Sequence, residues 1–329
     1  PYQMWVPGKP LLFWLFILYA SVLIALYFID CKKWALATVV LIAPAVIFTA
    51  RFLINDELQV TFINVGQGDS ILIESPRRRH VLLIDSGGLL RFQTEKWKER
   101  DTVYEVGRQV VVPYLKGKGI AQVDTMILTH ADADHIEGAE EITKEIRIKE
   151  IHVSPNSWGE KALDELKVEV EKRSIKVVEK MAGIKWTIGQ TIYAYLSPDD
   201  LQYEGNNDSL VLYVQHGDFK ALFTGDLEKD GERDLVRHYG PYIRGVTLLK
   251  AGHHGSKTSS AEEFVNHTMP SLTIFTAGKD NRYGHPAKEV VERFEKRGLR
   301  YYTTGTDGTI ELSINKKGEM TSLYAWSLK

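Results

Sequence analysis

Two long apolar runs without charge stand near the start of this 329-residue chain. Residues 11–29 read LLFWLFILYASVLIALYFI and residues 35–50 read ALATVVLIAPAVIFTA, with the short link DCKKW between them. A helix needs about 20 apolar residues to cross a bilayer, so the first run is long enough and the second is marginal. Because the link is tight, we favour a transmembrane helical hairpin over residues 1–54 to a signal peptide followed by a buried core helix.

The charges around this hairpin predict its orientation in the cell membrane. Lys32 and Lys33 lie in the link, and the positive-inside tendency places such a link in the cytoplasm, while Lys9 and Arg51 on the other side count against this. Residues 55–329 are then expected on the extracellular or periplasmic side. The chain opens with Pro1 instead of Met, so we also expect it to be a fragment of a longer membrane protein.

After the hairpin the sequence changes to short apolar runs separated by Gly, Asn, Asp and Pro, which is typical of one α/β domain over residues 55–329. The predicted strands come first as adjacent pairs and only later alternate with helices, which favours two packed mixed sheets flanked by helices over a doubly wound parallel sheet. The predicted strands are LQVTFIN, SILIES, HVLLID, DTMILT, SLVLYVQ, KALFTG, VTLLK and LTIFT. Helices are predicted for EVGRQVVVPYLK, for ALDELKVEVEKR, after a capping box formed by Ser259 with Glu262, and after Pro286.

Composition excludes some classes of site. Cys31 is the single cysteine of the sequence, so an intrachain disulfide and a cysteine-based zinc cage are both excluded. The formal net charge of −2 lacks the signature of a strongly basic nucleic-acid binder. Dense basic clusters occur at PRRRH (76–80) and KWKER (96–100), where they form either solvated turns or local, salt-sensitive contacts with a nucleic-acid backbone.

Polar clusters stand at the ends of the predicted strands, and HADADH at residues 130–135 is the densest of them. It supplies four potential metal ligands within six residues, which is more than a turn of that length requires. Further His and Asp residues follow other strands in FTGD, AGHHGS and YGHP. Loops at strand ends commonly converge to build a site on a rigid scaffold, so these clusters predict a metal site of His and carboxylate ligands.

Seven motifs in order, NVGQGDS, IDSGG, LTHADADH, NNDSLVL, LFTGD, KAGHHGS and NRYGHP, resemble the metallo-β-lactamase superfamily and, more specifically, the C-terminal domain of the ComEC family of bacterial DNA-uptake channels. The resemblance covers about residues 57–315. It implies a metallo-β-lactamase-like αββα sandwich, preceded by two transmembrane helices that end a truncated channel region.

The resemblance also implies roles for the ligands. His130 would hold a first metal ion, Asp134 and His135 a second, and Asp226 would bridge both. Asp132 stands where many superfamily members have a second His, and a carboxylate there shifts the preference from Zn²⁺ toward Mn²⁺. We therefore expect two divalent metal ions, with Mn²⁺ preferred and Zn²⁺ still open.

Other positions are implied to complete the site. Asp85 would orient the ligand loop, although a turn Asp is the alternative. Either His253 or His254 would be a ligand or a phosphate contact, and His285 would be the late His ligand. NNDS stands where many members have a ligand His, so Asn207 is predicted to support the ligands, or else NNDS caps the next strand, and the first metal is expected to be weakly held.

Substrate-handling roles are predicted for a last group. Three residues are predicted to take part in catalysis: Asp134, His254 and Ser256. Lys257, Arg282 and Tyr283 would grip phosphate or stack on a base, as in single-strand binders, with solvated loop residues as the alternative.

The function expected from this set is a metal-dependent nuclease that degrades the non-transported DNA strand during uptake without sequence specificity. Its partners would be DNA in single-stranded form, the membrane, the remaining channel region of the same protein and other DNA-uptake proteins. Two alternatives remain open: a non-catalytic module that guides DNA, and a metallohydrolase for small phosphoesters.

Overall fold

The computed structural model describes residues 12–88 and 105–326. Its N-terminal part is a pair of helices, α1 (Leu12–Asp30) and α2 (Trp34–Ile54). The ring of Trp14 packs edge-on against Phe48, with centroids 5.5 Å apart, so the start of α1 meets the later part of α2 and the two helices run antiparallel. Among the described residues α1 is the one helix long and apolar enough to cross a membrane, whereas α2 is apolar over the shorter stretch Trp34–Phe48.

The first sheet of the domain has eight strands. They are β1 (Leu58–Phe62), β2 (Ile71–Glu74), β3 (Val81–Ile84), β4 (Gln122–Leu128), β5 (Arg147–Val153), β6 (Lys176–Glu179), β14 (Thr309–Ile314) and β15 (Met320–Trp326). Their spatial order is β15-β14-β1-β2-β3-β4-β5-β6. Pairing is antiparallel from β15 to β3 and parallel from β3 to β6, so the sheet is mixed.

The second sheet has seven strands. They are β7 (Lys185–Ile188), β8 (Thr191–Ser197), β9 (Val211–His216), β10 (Phe219–Phe223), β11 (Leu248–Lys250), β12 (Leu272–Phe275) and β13 (Arg300–Thr303). Their spatial order is β13-β12-β11-β10-β9-β8-β7, parallel from β13 to β10 and antiparallel from β10 to β7. The predicted pair of mixed sheets is therefore confirmed.

Helices cover the outer face of each sheet. They are α3 (Val112–Gly117), α4 (Ala133–Ile136), α5 (Ala139–Glu145), α6 (Asp164–Arg173), α7 (Lys229–Ile243), α8 (Glu262–Thr268), α9 (Lys288–Glu295) and α10 (Thr304–Asp307). One apolar core lies between the sheets, a second joins the first sheet to α3, α5 and α6, and a third joins the second sheet to α7, α8 and α9. This layering is the expected αββα sandwich.

The predicted elements are present, and the described residues contain more strands than the sequence analysis expected. All eight predicted strands form, whereas β5 to β8 and β13 to β15 were not predicted. Edge strands such as KVVE (β6) and KWTI (β7) carry only two apolar residues in four positions, which is a weak signal.

The predicted capping box is wrong. Ser259 donates its hydroxyl to the carbonyl of Gly252 at 2.5 Å instead of capping α8. The N-cap of α8 is Ala261, and the carboxylate of Glu232 on α7 accepts hydrogen bonds from the backbone amides of Ser260 and Ala261, at 2.6 and 2.8 Å. Glu232, which is distant in sequence, thus takes the capping role that was predicted for Ser259 and Glu262, because α7 and α8 pack side by side.

The sandwich has two distinct ends. The loops that precede β2 and follow β3, β4, β10 and β11 all meet at one end. The turn between β2 and β3 lies at the opposite end, where the chain enters β1 from α2. Since the five residues of β1 rise about 3.3 Å each, the two ends are on the order of 17 Å apart.

Candidate metal centre

Four buried side chains from different loops meet at the first of these ends. They are Asp69 before β2, His135 on α4, Asp226 after β10 and His254 after β11, and one potential ligand atom of each lies within 4.8 Å of the others. His253 and His254 both adopt left-handed backbone angles, with φ of 45° and 52°. This tight turn after β11 aims His254 inward, and its imidazole is buried.

His135 is held from behind and presents one nitrogen to the cluster. Its Nε2 lies 3.1 Å from Oδ1 of Asp226, and its Nδ1 lies 2.7 Å from Oδ2 of Asp85. Asp85 also accepts hydrogen bonds from the backbone amide and the hydroxyl of Thr129, both at 2.8 Å. The carboxylate therefore fixes the ring of His135 and the loop that starts HADADH, which is the position predicted for Asp85.

His254 is backed in a similar way by Asp69, a residue that the sequence analysis did not select. Its Nε2 lies 3.3 Å from Oδ2 of Asp134 and 3.2 Å from Oδ2 of Asp226. Its Nδ1 lies 3.4 Å from Oδ1 of Asp69 and 3.2 Å from the hydroxyl of Thr276. Because Asp69 approaches the rear nitrogen, it acts through His254 and is not itself placed as a ligand.

A lysine ammonium lies inside the same cluster. The side chain of Lys250 is fully buried, and its Nζ lies 2.7 Å from Oδ2 of Asp69, 3.3 Å from Oδ1 of Asp226 and 2.6 Å from the carbonyl of Gly225. Burial would lower the pKa of this amine, but the charges of Asp69 and Asp226 raise it. The ammonium thus neutralises part of the negative charge that the carboxylates bring together.

Electrostatics at the cluster favour positive charge at its centre. Burial would lower the pKa of His254, but the charge of Asp226 and hydrogen bonds to Asp134 and Asp69 raise it to about 10. Burial would likewise lower the pKa of His135, but Asp226 and Asp85 raise it well above its usual value. For Asp134, burial would raise the pKa, and the hydrogen bond from His254 lowers it to about 2. A divalent cation supplies the same charge and competes with these protons.

The donor set of Asp134, His135, Asp226 and His254 fits a divalent metal ion. The Nε2 atoms of His135 and His254 lie 3.2 Å apart and both face Asp226, so both nitrogens and the carboxylate could contact one ion. Two imidazoles with two carboxylates suit both Mn²⁺ and Zn²⁺. The predicted second metal position therefore has a complete set of side chains, and His254 is the better placed of the two adjacent histidines.

The predicted first metal position has fewer buried ligands than the second. Nε2 of His130 is buried and has no hydrogen-bond partner among the described residues, so a donor is available there. Oδ2 of Asp132 lies 3.6 Å from that nitrogen, but its side chain is 57% exposed. This position therefore offers one buried and one solvent-facing ligand besides the predicted bridge through Asp226.

His253 and His285 lie beside the cluster. Nε2 of His253 lies 3.7 Å from Oδ2 of Asp226, while its Nδ1 faces Glu228 at 3.3 Å. The ring of His285 lies 5.6 Å from that of His253, and its buried Nδ1 has no hydrogen-bond partner within the described part of the chain. Burial and the neighbouring His253 lower the pKa of His285 to about 4, so its ring is neutral at pH 7.

The NNDS loop supports the site. Oδ1 of Asn207 accepts a hydrogen bond from the backbone amide of Glu228 at 3.0 Å, which ties it to the turn just after Asp226. The carboxylate of Asp208 accepts hydrogen bonds from Ser154 at 2.5 Å and Asn156 at 3.3 Å, so these groups occupy both of its oxygens. Asn207 therefore contacts the loop that carries Asp226, and its supporting role at a metal site stays a prediction.

The predicted substrate-handling residues lie outside the cluster. The hydroxyl of Ser256 lies 3.0 Å from that of Thr258, which is in turn 3.3 Å from Nδ1 of His253, so Ser256 is linked to the ligands only indirectly. Tyr283 stacks on His285 with centroids 6.0 Å apart and is 38% exposed. Lys257 is exposed on the loop after His254, and Arg282 is next to Tyr283. Roles in catalysis or DNA binding remain predictions for these residues.

Asp69 and Lys250 are the functional candidates that sequence reasoning missed. Asp69 lies in the motif NVGQGDS, and Lys250 is the last residue of the apolar strand VTLLK, immediately before AGHHGS. A lysine that ends a buried strand beside a histidine cluster is the signal that could have indicated it. Its partner Asp69 is remote in sequence, so the pairing emerges only from the fold.

Comparison with known proteins agrees with this fold. Residues 63–267, more than half of the chain, match the family described as the Metallo-beta-lactamase superfamily, and the chain belongs to that superfamily. In structure it is similar to a mutant of the CmlA beta-hydroxylase, with a TM-score of 0.50 and 12% identity over 79% of this chain and 54% of that chain, which shows the fold alone.

The relatives narrow the class further. The chain is 34% identical over 323 residues to ComE operon protein 3 of Bacillus subtilis, covering 96% of this chain and 41% of that protein. It is 28% identical over 288 residues to Competence protein ComA of Neisseria gonorrhoeae, covering 87% of this chain and 36% of that protein. The prediction of a ComEC-like competence protein is confirmed, and the chain spans less than half the length of these relatives. The relatives and the apolar helix α1 indicate a membrane-associated setting.

Proposed function

We propose that this chain is a metal-dependent phosphodiesterase that degrades DNA, acting on the non-transported strand during competence DNA uptake. The observation that carries the proposal is the convergence of Asp134, His135, Asp226 and His254 on one buried point. The similarity to a competence protein supports DNA as the substrate, and membership of the metallo-β-lactamase superfamily supports hydrolysis as the reaction.

The proposed chemistry uses two metal positions. Asp134, His135, Asp226 and His254 would hold one ion, and His130 with Asp132 would hold a second through the same Asp226. Mn²⁺ is preferred and Zn²⁺ is the alternative, because carboxylates and imidazoles are mixed in nearly equal number. Such ions lower the pKa of a coordinated water and neutralise charge on a phosphodiester.

The residues of this chain prepare that chemistry. Asp85 and Asp69 hold the rings of His135 and His254 so that both Nε2 atoms face the ion. At the rim, the exposed ring of Tyr283 offers a face on which an unpaired base stacks, and Lys257 and Arg282 offer positive charge to the strand. None of these contacts distinguishes one base from another, so cleavage is expected to lack sequence specificity.

The setting of this activity follows from the hairpin. The lysines between α1 and α2 support a location of the metal centre on the extracellular or periplasmic side, where incoming DNA would arrive. The remaining channel region of the full-length protein and other DNA-uptake proteins would deliver the strand. A near-neutral domain binds DNA weakly, which suits a site that must release its product.

The test is digestion of end-labelled single-stranded DNA by the full chain in detergent micelles, with Mn²⁺, Zn²⁺ or a chelator. Asp134→Asn weakens the better-furnished metal position, and Asp164→Asn on the outer helix α6 is the matched control. We expect metal-dependent cleavage that falls at least about 100-fold in the Asp134 variant and is unchanged in the control. Cleavage that survives in both variants would contradict the proposal.

The first metal position has only one buried ligand besides Asp226, which is a specific reason to consider a second function. If occupancy of that position is too low for turnover, the domain is a non-catalytic module that guides DNA past the channel. Metal binding and DNA binding without cleavage would establish this alternative. Cleavage of a chromogenic phosphodiester without cleavage of DNA would instead establish a small-phosphoester hydrolase.

A further inference from the structure

The end of the sandwich that faces away from the metal centre carries a separate cluster of charge. The PRRRH segment forms the turn between β2 and β3 at this end, next to the point where the chain leaves α2. The backbone amide of Arg77 donates a hydrogen bond to the carbonyl of Asn55 at 2.6 Å. This hydrogen bond fixes the β2–β3 turn to Asn55, which directly follows the helical hairpin. The attachment does not depend on how the hairpin is tilted.

A cavity of about 290 Å³ opens here between three turns, those that join β2 to β3, β7 to β8, and β14 to β15. Its walls include Asp56, Arg77, Arg79 and Lys316, together with the turn residues Gly189 and Gln190. The cavity is large enough for a phosphate group with part of the molecule that carries it.

The charges in the cavity are unbalanced. Asp56 is shared by two cations: Oδ1 lies 2.5 Å from Nε of Arg77, and Oδ2 lies 2.8 Å from Nζ of Lys316. The third cation, Arg79, makes no ion pair or side-chain hydrogen bond with any described residue. Its guanidinium lies beside Gly189, where an added Cβ atom would be 3.5 Å from Nη1. Three positive charges thus face one carboxylate, with the guanidinium of Arg79 free to bind an anion.

We propose that this cavity binds the phosphate of an anionic phospholipid headgroup and so fixes the domain on the membrane surface. Asp56 follows the end of α2 by two residues, so a hairpin in the membrane brings the cavity to the level of the headgroups. Lys and Arg next to a membrane helix are attracted to anionic lipid. The inference rests on membrane attachment through the hairpin and is independent of nuclease activity.

A DNA phosphate is the less favoured occupant. The metal centre lies at the other end of the sandwich, on the order of 17 Å away. A strand held in this cavity would have to pass along the whole side of the domain to reach the ligands. PRRRH, for which the sequence analysis left a solvated turn and a local contact with a nucleic-acid backbone open, lies at the end of the sandwich away from the metal centre, and KWKER lies outside the described residues.

The experiment uses the full chain, stripped of lipid in an uncharged detergent and titrated with phosphatidylglycerol or phosphatidylcholine, with bound lipid counted by native mass spectrometry. The test variant is Arg79→Gln with Lys316→Gln. The control is Lys172→Gln with Lys296→Gln, which removes two exposed lysines from the outer helices α6 and α9. Inorganic phosphate and a short oligonucleotide are added as competitors, and DNA cleavage is measured in parallel.

We expect phosphatidylglycerol to bind at least about 10-fold more tightly than phosphatidylcholine, and the test variant to lose that preference while the control keeps it. DNA cleavage should be the same in both variants, so failure here is distinct from failure of the proposed function. Equal phosphatidylglycerol affinity in both variants would overturn the proposal. Displacement of the lipid by micromolar inorganic phosphate, or loss of oligonucleotide binding in the test variant alone, would assign the cavity to those ligands and overturn it as well.

Discussion

Asp69 lies behind His254 with Oδ1 3.4 Å from Nδ1, and the hydroxyl of Thr276 donates to the same oxygen at 2.5 Å. On the other side of the cluster, Asp85 lies behind His135 in the same relation, at 2.7 Å. Both inward-facing imidazoles are thus backed by carboxylates from loops of the first sheet. Such backing fixes the ring orientation and the basicity of a metal ligand.

The first prediction concerns Asp69. Asp69→Asn removes the negative charge behind His254, so the ring becomes a poorer ligand, and affinity for Mn²⁺ should fall about 10- to 100-fold. Isothermal titration of the full chain measures this directly. Asp85→Asn should show a loss of the same order and Asp164→Asn none, and an unchanged affinity in the Asp69 variant would mean that it does not act through His254.

The second prediction concerns Lys250. Lys250→Met leaves Asp69 and Asp226 as buried carboxylates without their ammonium, which should cost on the order of 3 kcal/mol of folding free energy in the metal-free protein. A divalent ion restores positive charge near Asp226, so the increase in Tm on adding Mn²⁺ should be larger in the variant than in the wild type. Thermal unfolding in chelator and in Mn²⁺ tests this, with Lys220→Met on β10 as the control. An equal increase in both proteins would contradict the assigned role.

Asp69 and Lys250 also show which part of the site could not be predicted from the sequence. The residues of HADADH could be proposed as ligands because they stand close together in the sequence, and Asp226 because it follows a predicted strand and matches the family resemblance. The pairing of Asp69 with Lys250 could not be predicted, because a buried ion pair between remote strands leaves no periodic pattern in either segment. The weak strands β6 and β7 escaped for a related reason: their placement is decided by pairing with neighbours and not by their own four residues.

The third prediction follows from the unequal number and burial of the ligands at the two metal positions. His130 and Asp132 provide one buried and one exposed ligand, so Mn²⁺ should bind in two steps, with the second at least about 10-fold weaker than the first. Asp132→Asn should abolish the weaker step and leave the stronger one in place. Titration calorimetry with metal analysis resolves the two steps, and loss of both steps in the Asp132 variant would show that the positions are not separable.

Glu232 links α7 to α8 far from any charged partner strong enough to offset its burial. Burial raises the pKa of this carboxyl from 4.5 to about 7, although hydrogen bonds from the amides of Ala261 and Ser260 act in the opposite direction. Because the folded pKa lies above the unfolded one, the contribution of Glu232 to stability is fully present below pH 4.5 and is lost as the pH rises to about 7.

The fourth prediction is therefore a pH-dependent difference between Glu232→Gln and the wild type. The variant loses one of two amide contacts at every pH, but it cannot ionise, so its stability relative to the wild type should rise by up to about 3 kcal/mol between pH 4.5 and 7. Urea unfolding of the full chain in micelles, followed by tryptophan fluorescence at several pH values, measures that difference. Glu262→Gln, on the exposed side of α8, is the matched control. A flat difference for Glu232→Gln would mean that the buried carboxyl stays ionised across this range.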